Sequence, residues 1–284
     1  MTSWFSDRGR AMSSTRSVAW QKALVLLWVP LAACGGGGGG PAPTPTVTGI
    51  TITGPEGPYI VGASYTFSAS VTLSNGQTQA ASGTWGGDAP TVGTISNGVF
   101  AGVGSGEVTI WIDVTQGGRA TKRLRVHPSY NGNWIGSYRI TSCTDSGQIR
   151  TLVEFCKDIF TVGRLAPLGL FMSQNGLSVA TTVFLGDLEL TSPPAVVGDD
   201  GRLQVTARLI DAAATIDATL LLHQPQTTRI AGTITQDWRP TNGLSGTARV
   251  TGELVDVDKA ALAAVAPMGV VVRSLEEMVR AVMR

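Results

Sequence analysis

The stretch Leu203–Leu222, with the sequence LQVTARLIDAAATIDATLLL, decides the fold prediction because it joins two strand-like runs across a short break. In the first run the apolar side chains occupy every second position: Leu203, Val205, Ala207 and Leu209. A period of two is typical of a β-strand with one face in a core. Leu203–Ile210 and Thr215–Leu222 are therefore predicted to form an antiparallel hairpin.

The register of this hairpin follows from the positions of its apolar side chains. Leu209 opposite Ile216 aligns the apolar faces of both strands, whereas a slip by one residue would turn one face outward. The same register places Arg208 beside Asp217 on the polar face, where opposite charges attract each other. The sequence thus predicts an ion pair together with a strand pairing.

Similar runs extend through residues 129–257 and predict an antiparallel meander. Besides the hairpin, strand-like segments occur at the start of this region, near Phe160, and at Leu170–Gln174, Leu177–Leu185, Ile230–Thr235 and Leu244–Leu254. Turn-forming pairs such as Asn175-Gly176 and Asn242-Gly243 separate them. About eight strands are enough for a small closed barrel.

One late segment of this region has a face of small residues, namely Gly246, Ala248, Val250 and Gly252. Two interpretations are open for this face. Small inward side chains leave room for a ligand inside a barrel, and they equally allow large neighbours to pack closely.

Residues 47–128 show a second β-rich pattern, which predicts a sandwich of short strands. Val108, Ile110, Ile112 and Val114 alternate, and Asn97-Gly98 is a hairpin turn signal. Trp85 is expected to fill the core between the sheets. Trp111 lies out of phase with the alternating residues, so we expect it on the solvent side, within reach of the second module.

This region resembles the bacterial Ig-like domain of group 2. The matching positions are Val47-x-Gly49-Ile50, Gly62, Phe67-x-Ala69-x-Val71, Trp85, Ile95-x-Asn97-Gly98-Val99 and Gly106-x-Val108-x-Ile110. Gly86-Gly87 stands where the family has a serine-rich stretch, so the resemblance leaves that loop open. The resemblance covers under a third of the chain and implies an Ig-like β-sandwich with a spacer or adhesion role.

Residues 1–33 predict an export signal. Four basic residues precede an apolar run from Ala23 to Ala33. Eleven helical residues rise only about 16 Å, about half the thickness of a bilayer core, so the run is too short for a lasting span. Met1 and Met12 are both compatible with the start of this signal.

Leu31-Ala32-Ala33-Cys34 resembles the lipobox of bacterial lipoproteins. The resemblance implies cleavage before Cys34, acyl chains such as palmitate on this residue, and outer-membrane sorting because Gly35 rather than an acid follows. Residues 34–46 continue as a linker rich in glycine and proline. The alternative is a secreted protein that is cut near Ala33.

Gly132-Asn133-Trp134, close to the start of the second module, resembles the Gly-x-Trp motif of lipocalin-type barrels. The match is one short motif. It implies a calyx barrel that holds a small apolar ligand.

The two remaining cysteines, Cys143 and Cys156, are predicted to form a disulfide. Exported proteins meet an oxidising environment, where an even pair of cysteines is usually bonded. Neither cysteine has a histidine or another cysteine at the spacing of a metal site. We therefore expect no metal and no other cofactor.

Composition favours folded cores and does not favour nucleic-acid binding. Hydrophobic residues make up 43% of the chain and charged residues 14%, which is typical of folded domains. Four of the 21 basic and one of the 20 acidic residues precede Cys34, which leaves 17 basic and 19 acidic residues after the signal. We expect no nucleic-acid partner for such a slightly acidic protein.

The sequence contains no recognisable catalytic constellation. Its two histidines, His127 and His223, both fall at strand ends, and neither lies in a motif with a nucleophile. Gly102–Gly106 is rich in glycine but lies between strands rather than before a helix, so a phosphate loop is not expected. The protein is therefore expected not to be an enzyme.

Residues 258–284 are predicted to form a helical tail. Ser274 and Glu277 have the spacing of a capping box at the start of a short helix. The apolar positions of that helix follow helical spacing: Leu275, Met278, Val279 and Val282. This stripe is expected to dock on the barrel or, alternatively, on a partner or the membrane.

The sequence therefore predicts an all-β chain, with an Ig-like β-sandwich, a small antiparallel meander or barrel and a short C-terminal helix. Its expected role is that of a non-enzymatic, lipid-anchored protein of the cell envelope at the outer membrane, for adhesion, binding or envelope architecture. The expected partners are the membrane, through Cys34, and an envelope protein, a glycan or a small apolar ligand. The alternatives are a barrel that binds a small apolar ligand and an envelope hydrolase with an accessory Ig-like module.

Overall fold

A computed structural model describes residues 44–241 and 243–260, and this part of the chain is all-β, as predicted. By its internal contacts the chain divides into two units, with the boundary between Thr44 and Pro45. Both β modules belong to the second unit. The predicted signal peptide (1–33), Cys34 and most of the linker lie outside the described residues. The helix predicted after Ser274 lies outside them as well.

The first module consists of ten short strands. They are β1 (Val47–Thr53), β2 (Tyr59–Ile60), β3 (Ser64–Thr66), β4 (Ser68–Leu73), β5 (Thr78–Ala80), β6 (Gly83–Gly87), β7 (Gly93–Ser96), β8 (Val99–Gly102), β9 (Gly106–Val114) and β10 (Arg119–His127). Three sheets result, with the strand orders β1-β4-β5, β2-β10-β9-β6 and β3-β8-β7. The short-stranded β architecture expected for residues 47–128 is thus present.

Trp111 lies on the side that alternation predicts, and Trp85 lies on the core side, as expected. Trp85 is half-buried and packs against both apolar clusters of the module. Trp111 points to the other side, where the guanidinium carbon of Arg119 lies 5.1 Å from its ring centroid. A Cβ at Gly86 would come within 2.6 Å of the Trp111 ring, so the missing side chain at Gly86 makes room for this tryptophan.

The second module is a barrel built from nine further strands. They are β11 (Gly132–Asp145), β12 (Leu165–Asn175), β13 (Ser178–Leu185), β14 (Leu188–Thr191), β15 (Ala195–Val196), β16 (Leu203–Ile210), β17 (Ala214–Gln226), β18 (Arg229–Pro240) and β19 (Ala248–Ala260). Eight of them follow one another in the order β12-β11-β19-β18-β17-β16-β14-β13, and β13 pairs back with β12 to close the ring. The short β15 is added along β13.

The register of the β16–β17 hairpin is the predicted one. Leu209 pairs with Ile216, and Arg208 pairs with Asp217. The side chains of Arg208 and Asp217 form an ion pair on the outer face, and Arg239 of β18 contacts the same carboxylate. The alternating apolar side chains and the opposite charges of Arg208 and Asp217 thus predicted this register correctly.

The Arg208–Asp217 ion pair is expected to contribute little to stability. Its guanidinium side chain is 60% exposed, and exposed pairs contribute about 1 kcal/mol or less because water and salt weaken them. A double-mutant cycle with Arg208→Ala and Asp217→Ala, measured by urea unfolding, should therefore give a coupling energy of at most about 1 kcal/mol. A coupling energy of twice that value would contradict the assignment of this pair to a solvated surface.

The barrel differs from the expectation at the segment near Phe160, in the additional short strands β14 and β15, and in the bounds of the last strand. The strand expected near Phe160 is absent; the segment instead holds α1 (Gly147–Val153) and a π-helix (Phe155–Ile159), because its aromatic residues pack on the barrel end. The last strand begins at Ala248 rather than at Leu244. It continues to Ala260, so the first three residues of the expected helical tail pair in the sheet. Neither helix of the described residues is long and apolar enough to cross a membrane.

The small-residue face of β19 is filled by a neighbouring ring. A Cβ at Gly252 would lie 2.8 Å from Cδ2 of Tyr138, whose side chain is 2% exposed. Burial raises the pKa of Tyr138 to about 12, so its phenol remains protonated in the core. Of the two interpretations of this face, close packing is therefore the one that the structure supports.

Candidate functional site

Of the predicted site residues, Cys143 and Cys156 lie in the described part of the chain and form the expected disulfide. Their sulfur atoms are 2.05 Å apart and their Cα atoms 5.5 Å apart. Cys143 belongs to β11 and Cys156 to the π-helix, so the bond ties the excursion between β11 and β12 to the barrel wall. Cys34, the predicted lipidation site, lies outside the described residues.

The excursion between β11 and β12 closes one end of the barrel. The rings of Phe155 and Phe160 stack with centroids 4.9 Å apart, and they lie 5.3 and 5.4 Å from the ring of Trp238 in β18. The carboxylate of Asp145 accepts a hydrogen bond from the backbone N–H of Cys156 at 3.1 Å. Packing, a hydrogen bond and the disulfide thus hold this segment, which we call the cap (residues 146–164).

The two histidines belong to different modules and differ in exposure. His127 is buried at the end of β10, and His223 is exposed in β17. Within the described residues, neither imidazole hydrogen-bonds to a serine or a carboxylate. Nor do the described residues contain a group of three or more His, Cys, Asp or Glu that could hold a metal ion.

A crevice of about 770 Å³ lies where the two modules meet, at the barrel end opposite the cap. Residues 58–65 and 102–103 of the first module line one wall. Residues 129–131, the turns after β12 and β17, and the end of β19 line the other. None of the described residues that line it is an acid, a histidine or a cysteine. This crevice is the candidate functional site.

The backbone N–H groups of the first-module wall, in residues 60–63, are all engaged. In chain order they donate to Tyr65 Oη at 2.8 Å, His127 O at 3.0 Å, Gly102 O at 2.8 Å and Ile60 O at 3.1 Å. The wall therefore offers apolar side chains to a ligand rather than free backbone donors. Val103, at the rim, is 47% exposed.

Two glutamine side chains of the barrel wall are held in place by backbone carbonyl groups. Gln174 Nε2 donates to the carbonyl oxygen of Gly176 at 2.9 Å. Gln224 Nε2 donates to the carbonyl oxygens of Ser129 at 3.0 Å and Thr227 at 3.3 Å. The Oε1 atom of Gln224 accepts no hydrogen bond from the described residues, so this acceptor remains available at the crevice.

Lys259 is the charged residue of the crevice. Its Nζ lies 5.4 Å from the centroid of the Trp134 ring, which is fully buried and donates from Nε1 to the carbonyl oxygen of Tyr130 at 2.8 Å. The electron-rich face of the ring stabilises the ammonium in this position. Among the described residues, no carboxylate pairs with Lys259.

Most other charged side chains of the barrel surface are neutralised by a neighbour. Arg229 pairs with Asp258 at 2.9 Å, and Arg249 pairs with Asp237 at 2.7 Å. Lys157 of the cap pairs with a glutamate at 2.8 Å. Like Arg139 and Arg164, Lys259 has no carboxylate partner among the described residues, and it is the one of these three that lines the crevice.

No family model matches this chain, and no curated protein does. The candidate site is therefore assigned from the chemistry and geometry of the crevice.

Sequence reasoning did not find the crevice because its residues belong to separated segments that carry no motif. Lys259 in particular falls in a segment that was expected to be helical, where it would be one more solvated charge. The strand expected near Phe160 would in fact have placed the Asn175-Gly176 turn at the end away from residues 129–131, because successive turns of an antiparallel meander alternate between the two ends. The turn reaches the crevice because helices replace that strand.

Proposed function

We propose that this protein is a non-enzymatic, lipid-anchored protein of the cell envelope that carries two β modules for binding at the outer membrane. The observation that carries the proposal is the order of the segments along the chain. A lipobox-like Leu31–Cys34 and a linker rich in glycine and proline precede a folded unit that begins at Pro45. Such a linker gives an anchored module reach and freedom of orientation.

The chemistry of the crevice favours binding over hydrolysis. Common hydrolytic sites place a nucleophile or an activated water beside a base with a suitable pKa. The described lining of the crevice offers an ammonium group, carboxamides and hydroxyl groups instead. These groups recognise a ligand by hydrogen bonds and charge without reacting with it.

The barrel interior is a less suitable ligand site than the crevice. Trp134, Tyr138 and Trp238, all buried, point into the space that a calyx would leave open. Leu168, Leu203 and other residues fill the remaining volume, and each of these two is fully buried. We therefore place the binding function of the proposal at the crevice rather than in the barrel.

Replacing Cys34 by serine should release the protein from the membrane. The hydroxyl group of serine does not accept the diacylglycerol that the lipobox resemblance implies, so the acyl chains would be missing. We expect wild-type protein to sediment with membranes and enter the detergent phase of a Triton X-114 partition. Most of the Cys34→Ser variant should remain in the aqueous phase.

Thr44→Ser, in the same linker, is the matched control and should remain with the membranes. If Cys34→Ser partitions into detergent as completely as wild type does, the anchor proposal is wrong.

A further inference from the structure

We propose that the crevice between the modules binds an acidic saccharide, with Lys259 contacting a carboxylate of the ligand. This inference rests on the proposed binding function and specifies the chemical class of the ligand. Three features of the crevice support it: an unpaired cation, free hydrogen-bonding groups of both kinds, and a first-module wall whose N–H groups in residues 60–63 are all engaged.

Lys259 supplies the positive charge that an acidic ligand would contact. Its ammonium is held over the Trp134 ring at 5.4 Å, and the described lining contains no acid that would compete for it. A carboxylate that enters the crevice therefore meets one positive charge and no negative charge. A charge-assisted hydrogen bond between ammonium and carboxylate is about twice as strong as a neutral one.

The polar groups that surround this cation suit the hydroxyl groups of a sugar. Asn131 Nδ2, Gln224 Oε1 and the hydroxyl group of Thr227 line the crevice without a hydrogen-bond partner among the described residues. They combine free donors, a free acceptor and a group that does both. A sugar hydroxyl also donates and accepts, so a saccharide satisfies this mixture, whereas an apolar ligand would leave it unpaired.

The opposite wall suits the less polar face of a sugar ring. Ile60 and Val61 line this wall, and Val103 extends it at the exposed rim. A pyranose places its C–H groups on the ring face and its hydroxyl groups around the edge. A saccharide between the walls would therefore set its C–H groups against the first module and its hydroxyl groups against the barrel.

An acidic peptide is the competing ligand, and the backbone of residues 60–63 argues against it. Peptides that bind at a sheet edge use free backbone N–H and C=O groups of that edge. The N–H groups of residues 60–63 are all engaged within the protein. The carbonyl groups of a peptide would thus find no free N–H donor in this segment.

The test is a calorimetric titration of the full-length lipidated protein in detergent micelles. The probes are a galacturonic acid oligomer, a galactose oligomer of the same length and linkage, and a glutamate oligomer of the same charge. We expect the galacturonate oligomer to bind most tightly. Lys259→Met should weaken that binding about tenfold, since the apolar stem over Trp134 is kept and the charge is lost. Lys259→Arg should retain most of the affinity.

Lys122→Met is the matched control. Lys122 also holds its ammonium over an aromatic ring, at 5.8 Å from the centroid of Phe67, but it does not line the crevice. The substitution removes the same charge and the same kind of ring contact, so galacturonate affinity should remain within about twofold of wild type. Circular dichroism of each variant shows whether the fold is retained.

Three results would overturn the assignment: no binding of the galacturonate oligomer, tighter binding of the glutamate oligomer, or equal losses in Lys259→Met and Lys122→Met. Failure of the broader proposal has a different signature. If mass spectrometry shows that the galacturonate oligomer has been cleaved, the protein is an enzyme and the proposed function is wrong. A loss of binding in Lys259→Met would still place the ligand at the crevice in that case.

Discussion

Trp134→Ala is expected to lower the free energy of unfolding by about 3–5 kcal/mol, which is the usual cost of deleting a fully buried aromatic side chain. Trp134 is 0% exposed at the barrel end beneath the crevice. The substitution removes the packing of the indole and leaves the carbonyl oxygen of Tyr130 without its donor. It also removes the ring that holds Lys259.

Urea unfolding followed by near-ultraviolet circular dichroism measures this loss. Trp111→Ala is the matched control, because Trp111 is half-exposed on the first module and its deletion should cost far less. Trp134→Phe should be intermediate, since a smaller ring keeps part of the packing. A loss below about 1 kcal/mol for Trp134→Ala would show that the barrel end does not depend on this side chain.

Removing the disulfide with Cys143→Ala and Cys156→Ala should lower the free energy of unfolding by about 3 kcal/mol in the loop-entropy description. The bond spans 13 positions of sequence and ties the cap to β11. Without it the unfolded chain gains freedom, and the cap is held only by its aromatic packing and hydrogen bonds. The cap should therefore open before the barrel unfolds.

Hydrogen exchange distinguishes these two effects. Amides of residues 149–160 should exchange faster in the double variant, whereas amides of the β16–β17 hairpin should change only as much as global stability does. Lys157→Met, which removes a cap ion pair and leaves the disulfide, is the control. Equal thermal stability of the double variant and wild type would contradict the predicted contribution of the bond.

The local features of the barrel could be read from the sequence because each depends on short-range pattern. Alternating side chains specify the face of a strand, and the ends of two neighbouring runs specify their register, as in the pairing of Leu209 with Ile216. The disulfide was equally accessible, since only two cysteines follow the predicted anchor at Cys34. None of these inferences needs to know which distant segments meet.

The cap shows where such reasoning fails. Phe160 has the residue type of a strand, yet it belongs to an aromatic cluster with Phe155 and Trp238. Its partner in β18 is far away in sequence, so no local pattern reveals it. The end of β19 fails for the same reason: Asp258 pairs with Ile135 and Arg229, and this pairing overrides the helical composition that follows.

The all-β class, the order of the two modules, the hairpin register and the disulfide therefore follow from short-range features, because periodicity, turn residues and cysteine count act over short distances. Long-range contacts, in contrast, set how the barrel closes, fill its interior and bring Lys259 to Asn131 and Gln224 at one crevice. These outcomes depend on contacts between segments far apart in the chain. The size of the aromatic rings, the backbone hydrogen bonds and the close approach of the Tyr138 ring to Gly252 together allow one packing of the strands.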